Sequence, residues 1–441
     1  MSGAYMFQPD LETMAQDEKA QLQGRRLVEL VRRLAGTGSE YWTGKLADVD
    51  IDAISGIEDI VRLPFTWKSD FRDTYPFEML AVPLEATVRV HASSGTSGKP
   101  TVVAYTKRDV ATFSEVNARA LAIGGATPED VVHVAYGYGL FTGGLGLHYG
   151  VERLGATAVP ASGGNAAFQL TLMADLGAGV IACTPSFALL LAERAEELEL
   201  RDTLHIKHGV LGAEPWSEGM RSRIEEAWGG GFTARDIYGL SEVMGPGVAM
   251  ESTTAPGALC FFDDHFYPEI VDPETSDPVA EGEVGELVIT TLTKEAQPVL
   301  RYRTRDLTRF VDEPSADGRT FRRIGRLEGR VDDMLIIRGI NVFPREIETI
   351  VLEDPAIGGQ YAIIVDRRQT MVELNVVAEL AGEQWMKERD TIEKRLEAAL
   401  VEQVRIRVGV ELRDPGSMPR QEVGKAKRIF EQTSGEDPLT A

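Results

Sequence analysis

The sequence predicts an α/β protein: a large N-terminal domain of helix-flanked, mostly parallel sheets with a barrel-like β subdomain, then a small α+β C-terminal domain. Three observations predict it. Apolar strand-like runs alternate with helical segments between residues 131 and 238, the pattern of a parallel sheet covered by helices. After Phe262 the strand-like runs become short and turn-separated. A length of 441 residues also exceeds what one hydrophobic core usually supports.

Residues 11–34 read as an amphipathic helix, with Leu22, Leu27, Val28, Leu30, Val31 and Leu34 near helical spacing. Residues 86–90 are strand-like. Residues 131–136 form a strand leading into the glycine-rich stretch 137–146. A strand at 156–160, a helix at 167–176 and a strand at 180–183 follow. Thr184, Pro185 and Ser186 open a helix to Leu198, with proline where its missing N–H costs nothing. Residues 208–211 and 234–238 are strands with a helix between them. In such sheets ligands gather at loops beyond the strand C-terminal ends. Residues 267–271, 285–290, 299–302 and 307–311 are short strands of the β subdomain. The pattern changes again near 329–333, which places the N-terminal domain at 1–331 and the C-terminal one at 332–441. In the latter, 334–337, 361–366 and 372–378 read as strands, with helices at 345–352 and 383–404.

The composition, 43% hydrophobic and 26% charged, is ordinary for a globular protein. The charge is not: 46 basic against 69 acidic residues give −23. That balance argues against nucleic acid and anionic membranes as partners. Two cysteines, Cys183 and Cys260, make no disulfide framework and point to a reducing compartment. The first ten residues lack a signal-peptide pattern and no apolar run is long enough to span a bilayer, so a cytoplasmic location is expected.

The richest local signal is Ser93-Ser94-Gly95-Thr96-Ser97-Gly98-Lys99, after a strand-like run. Glycines let backbone N–H groups close on a phosphate, hydroxyls add donors and the lysine adds charge. It reads either as such a cradle or as a flexible Ser/Gly turn. It is not the P-loop pattern, because Ser93 stands where the first glycine belongs and Pro100 follows the lysine. Asp236-Ile-Tyr238-Gly239-Leu-Ser241-Glu242 ends a strand with a ring able to lie on a purine and a carboxylate suited to Mg²⁺, or with a core tyrosine and a solvated acid. Gly212-Ala213-Glu214-Pro215 is a second strand-end turn of little bulk. Tyr302-Arg-Thr-Arg-Asp306 sets an acid at a strand end, able to accept from two ribose hydroxyls or serving as an ordinary turn residue. Lys425 stands on a glycine-loosened loop, either as a catalytic charge or, as most lysines are, simply solvated.

In this order, the segments resemble the adenylate-forming superfamily of acyl-CoA synthetases, adenylation domains and luciferases. More narrowly the chain resembles the phenylacetate–CoA ligase family. The narrower likeness rests on residues 136–146, 212–216, 238–247, 301–306, 332–339 and 341–344, and it covers nearly the whole chain. The resemblance implies ATP, Mg²⁺ and coenzyme A as cofactors and co-substrates, an aromatic carboxylic acid as substrate, and a homodimer. Ser94, Gly95, Thr96, Ser97, Gly98 and Lys99 would hold the β- and γ-phosphates. Gly212, Ala213 and Glu214 with Tyr238 would sandwich adenine, and Pro215, Asp236, Gly239 and Ser241 would belong to the same cofactor-binding site. Glu242 would bind the metal, Asp306 the ribose, and Arg330 the ribose or phosphate. Asp332 corresponds to a hinge, Lys425 would bridge the acid and the α-phosphate, and Gly339 would line the path of the CoA arm.

The implied reaction is attack of a carboxylate on ATP to give an acyl-adenylate, then transfer to a thiol. Tyr136, Tyr138 and Phe141 beside Gly143 and Gly144 suit a flat aromatic slot, or are in part plain core. Phenylacetate is the family default. Family members often carry Cys and His upstream of the Asp264-His265-Phe266 segment, where this chain has Ser252 and Leu259 or Cys260. That departure suggests a lost structural or metal feature and keeps ligases for anthranilate, hydroxyanthranilate or hydroxybenzoate open. A free-standing adenylation enzyme that loads a carrier protein stays open as a close rival in chemistry, and a non-enzymatic nucleotide-binding regulator as a rival of a different class.

Overall fold

The computed structural model describes residues 5–93, 99–333, 335–337, 340–368, 372–420 and 426–439. Its centre is a nine-stranded mixed sheet. Five strands run parallel in the order Thr157–Val159, Val131–Val134, Val180–Cys183, His208–Gly212 and Thr233–Leu240. Gly245–Glu251, Ala258–Phe261, Arg322–Gly325 and Phe310–Val311 continue it antiparallel.

The middle parallel strands are apolar on both faces because both faces are covered. Val180 and Ala182 pack with Phe113, Val116, Leu147 and Val151 of helices Lys107–Ile123 and Gly143–Leu154. Ile181 and Cys183 pack with Leu170, Leu190 and Met220 of helices Ala166–Leu176, Pro185–Glu197 and Glu218–Trp228. Thr184 and Ser217 cap the last two by accepting from the N–H groups of Phe187 and Met220.

Two helices depart from the pattern expected of the sequence. Lys107–Ile123 is not apparent from periodicity, although Thr106 and Asp109 form its capping box. The second half of the glycine-rich stretch is the start of helix Gly143–Leu154. The glycines there serve close packing rather than a loop: a Cβ on Gly150 would lie 2.5 Å from Cβ of Asn117.

Phe266–Val271, Gly285–Thr291, Tyr302–Thr308 and Gly329–Arg330 form a separate antiparallel sheet. The charged residues of Tyr302–Thr308 suggest a break in the strand, with Asp306 at its end. The strand instead runs through them, and Asp306 lies opposite Arg330 in its interior. Buried charges there find partners across the sheet; Arg303 reaches Glu286 at 2.6 Å.

The C-terminal part holds helices Pro344–Glu353 and Arg389–Val404. They flank a mixed sheet in the order Val408–Arg413, Glu373–Leu380, Ile357–Asp366, Ile429–Gln432. Val351, Leu352 and Ile357 join the apolar cluster of Leu189 and Met220, so this part seats directly on two helices of the central sheet. No described helix is long and apolar enough to cross a membrane.

Candidate active site

The parallel strands His208–Gly212 and Thr233–Leu240 end side by side, with Gly212 opposite Ile237. This register brings the turn Gly212–Pro215 next to the segment Tyr238–Glu242. A Cβ on Gly212 would lie 2.2 Å from the Ile237 carbonyl oxygen, so only glycine fits. Ala213 then takes a φ of +69°, a conformation that L residues rarely adopt. Asp236 faces Arg326, whose Nε lies 3.5 Å away, and burial pushes its carboxyl up from the ordinary range.

Asp306 is drawn into the same cleft. Its Oδ2 accepts from the Tyr238 hydroxyl at 2.6 Å and its Oδ1 from the Arg330 guanidinium at 2.7 Å. Arg330 also spans Asp332, at 2.9 and 3.1 Å. Burial pushes the Asp306 carboxyl up to about 6, although Arg330 and Tyr238 pull in the opposite direction. Burial likewise drives the Tyr238 phenol well above its usual range, with the Asp306 charge adding to it.

Glu242 follows this strand and is buried, with its Oε1 3.5 Å from Nζ of the half-exposed Lys68. Below it, fully buried Lys294 donates to the Glu242 carbonyl oxygen at 3.0 Å. Tyr105 donates to the Met244 carbonyl at 2.9 Å, and the Lys294 ammonium lies 5.2 Å from its ring centroid. Burial lowers Lys294 to about 8. Thr142 and Ser241 meet through their hydroxyls at 3.3 Å, which joins this turn to the start of helix Gly143–Leu154.

The aromatic residues upstream occupy different settings. Tyr136 is buried, Phe141 is exposed, and the Tyr138 hydroxyl lies 3.3 Å from Nδ1 of His148. Gly143 and Gly144 belong to the first turn of a helix, with Gly143 packed over the Tyr136 ring. Strand Thr87–Ser93 pairs antiparallel with Thr101–Thr106, Ser93 opposite Thr101, so the Ser/Gly motif lies in sequence between two paired strands. Its residues Ser94, Gly95, Thr96, Ser97 and Gly98 lie outside the described residues, as do Gly339 and Lys425. Lys99 is exposed, its ammonium 5.2 Å from the Tyr75 ring centroid.

An AMP-binding enzyme family pattern matches residues 51–293, and its C-terminal domain counterpart matches residues 339–433. The chain is 44% identical to a phenylacetate–coenzyme A ligase of Thermus thermophilus, over 97% of this chain and 99% of that one. The chain belongs to the phenylacetate–CoA ligase family of AMP-binding enzymes. Among solved structures of the wider fold, it superposes on 2-hydroxyisobutyryl-CoA ligase in its postadenylation state with a TM-score of 0.88 and 27% identity, covering 96% and 92% of the two chains. Against the same ligase in its thioesterification state, with 28% identity and 96% and 91% coverage, the TM-score is 0.71. The arrangement of this family member therefore follows the postadenylation state more closely.

Around Ser252 and Cys260 this chain builds a polar network. Asp317 accepts from Ser252 and Ser315, each at 2.7 Å, and from Arg319 at 2.5 Å; Arg319 also reaches Glu12 at 2.6 Å. Cys260 is buried beside it, and burial pushes its thiol up to about 12. Among the described residues, no three His, Cys, Asp or Glu side chains converge as a metal site. Nothing in the sequence marks Lys68 and Lys294, because isolated lysines carry no local pattern. Only the tertiary approach to Glu242 singles them out.

Proposed function

We propose that the chain is an ATP-dependent arylacetyl–coenzyme A ligase acting on phenylacetate. A carboxylate oxygen attacks the α-phosphorus of ATP, pyrophosphate leaves, and the acyl-adenylate passes its acyl group to the CoA thiol with release of AMP. The observation that carries this reading is 44% identity to a phenylacetate–CoA ligase across 97% of the chain.

The chain's own residues suit the chemistry. Two anions must approach each other, so the main demand is electrostatic. Asp306, held between Tyr238 and Arg330, offers acceptor oxygens to ribose hydroxyls. Gly212 to Glu214 and Tyr238 are proposed to flank adenine. Lys425 is assigned to the junction of acid and α-phosphate, and Ser94 to Lys99 to the departing pyrophosphate. Glu242 presents a buried carboxylate paired with the half-exposed Lys68, a donor that fits a hard cation. Bound there, Mg²⁺ would offset charge on the pyrophosphate. Asp332, salt-bridged to Arg330, is the proposed hinge about which the 332–441 domain turns so that one cleft serves both half-reactions.

The test is pyrophosphate release with ATP, Mg²⁺ and CoA across phenylacetate, benzoate, anthranilate and hydroxybenzoates, with thioester formation followed in parallel. Phenylacetate is expected to give the highest kcat/KM. Turnover of a benzoate in its place, or no CoA thioester with any acid, overturns the proposal.

A further inference from the structure

The two parts of the chain meet at a seam that is apolar where Val351, Leu352 and Ile357 lie against Leu189 and Met220, crossed by the Ser217 N–H to Glu348 at 3.0 Å and by Arg223 to the Leu352 carbonyl, and polar again around Glu214. This residue follows strand His208–Gly212, and its carboxylate sits at the N-terminus of helix Pro185–Glu197. There it accepts from the Ser186 backbone N–H at 3.2 Å and from the Ser186 hydroxyl at 2.9 Å. Helix N-termini stabilise such a charge and fix its direction. The same Oε1 accepts from the backbone N–H of Ala426 at 2.5 Å. Ala426 belongs to the C-terminal part and directly follows Lys425 in sequence. At the other end of the same helix, Glu193 lies 3.5 Å from Arg420, which Glu379 grips at 2.6 and 2.9 Å. Carboxylates of one N-terminal helix and its adjoining turn therefore hold the C-terminal part on both flanks of residues 421–425. Beside Glu214 the seam is not solid: a cavity of about 260 Å³ opens between Trp216, Met220, Glu348, Tyr361 and Arg428.

We infer that Glu214 is a positioning residue which, with Glu193, latches the C-terminal part in the adenylation arrangement and must let go before thioester formation. The inference rests on the ligase reading above and goes beyond it by naming two contacts that favour one of the two states. The closer likeness to the postadenylation state than to the thioesterification state, 0.88 against 0.71, agrees with the latch being closed here. The latch is one hydrogen bond to a charged group and one partly exposed ion pair, added to the apolar contact and the Ser217 and Arg223 hydrogen bonds, so its loss biases the two-state equilibrium without separating the two parts.

The test uses the full chain with spin labels at Glu226→Cys and Glu402→Cys, both exposed, while the native Cys183 and Cys260 are buried. Inter-label distances are measured without ligands by pulsed electron resonance, and the two half-reactions are assayed separately. For Glu214→Ala, a second distance population is expected. Because Glu214 also stands in the turn that flanks adenine, both half-reactions are expected to weaken, with pyrophosphate release falling about tenfold further than thioester formation from supplied phenylacetyl-adenylate. Glu193→Gln, which leaves the turn untouched, is expected to shift both readouts in the same direction by less, and it carries the test if the first variant does not fold. An unchanged distance distribution in both variants, or an equal fall in both half-reactions, overturns the inference. If the parent chain forms no adenylate at all, the ligase reading fails, while the distances still decide the latch.

Discussion

The Tyr238 hydroxyl donates to the Asp306 carboxylate across 2.6 Å, joining the end of the parallel sheet to the interior of a strand in the separate antiparallel sheet. The acid is thereby fixed before any nucleotide arrives. Tyr238→Phe would leave one buried carboxylate oxygen without its donor, a cost of about 1–3 kcal/mol. Urea unfolding is expected to show that loss, with a raised KM for ATP.

Asp306 also sets a pH dependence. Its carboxyl is pushed up to about 6 in the folded chain, above its ordinary value of 3.8. The folded state therefore holds this proton more tightly than the unfolded one, and the group's contribution to stability falls as pH rises from about 4 to about 6. Ionisation over the same range makes it a better acceptor for ribose hydroxyls. Calorimetric ATP affinity should rise with pH through about 6, and Asp306→Asn should flatten that rise.

A buried ion pair elsewhere serves stability rather than chemistry. Arg119 is fully buried and donates to Asp264 at 2.7 Å; burial pushes the Asp264 carboxyl up, but Arg119 together with His265 and Arg26 holds it below its ordinary range. Asp264→Asn should destabilise the chain by roughly 3 kcal/mol, because breaking a buried pair strands the remaining charge. Thermal unfolding is the readout, and the apparent KM for ATP should stay within about twofold.

Asp317 makes an acid-sensitive point. Its hydrogen bonds from Ser315 and Ser252 and the Arg319 charge outweigh burial and lower it to about 2 in the folded chain. Its stabilising contribution is present above about pH 4 and drains away as pH falls toward about 2. Melting temperatures of the parent and Asp317→Asn should differ at about pH 7 and converge as the pH drops; a constant difference would count against the network.

Lys425 is expected to act in one half-reaction only. Lys425→Ala should lower pyrophosphate release by about a hundredfold or more, the scale of losing one charge-stabilising group. Thioester formation from supplied adenylate should survive. Equal loss of both steps would reject the assignment.

Much of this protein is legible without coordinates. Val180–Cys183 and its neighbours carry unbroken apolar runs because both faces of a parallel strand are buried, and such runs stand out locally. Helix Pro185–Glu197 announces itself through its Thr-Pro-Ser start, since capping is a short-range matter. The strand ends at Gly212 and around Tyr238 are recognisable because their chemistry is written in consecutive residues. Tertiary structure decides the rest. Charged residues that read as a turn become the buried strand Tyr302–Thr308 only because Glu286 and Arg330 stand opposite them. Gly143–Leu154 becomes a helix because Gly150 fits against Asn117. Lys68 meeting Glu242, Arg119 meeting Asp264 and Ala426 meeting Glu214 join residues far apart along the chain. Periodicity records which face of an element is buried. Whether a charge can be buried there depends on the partner that folding brings to it.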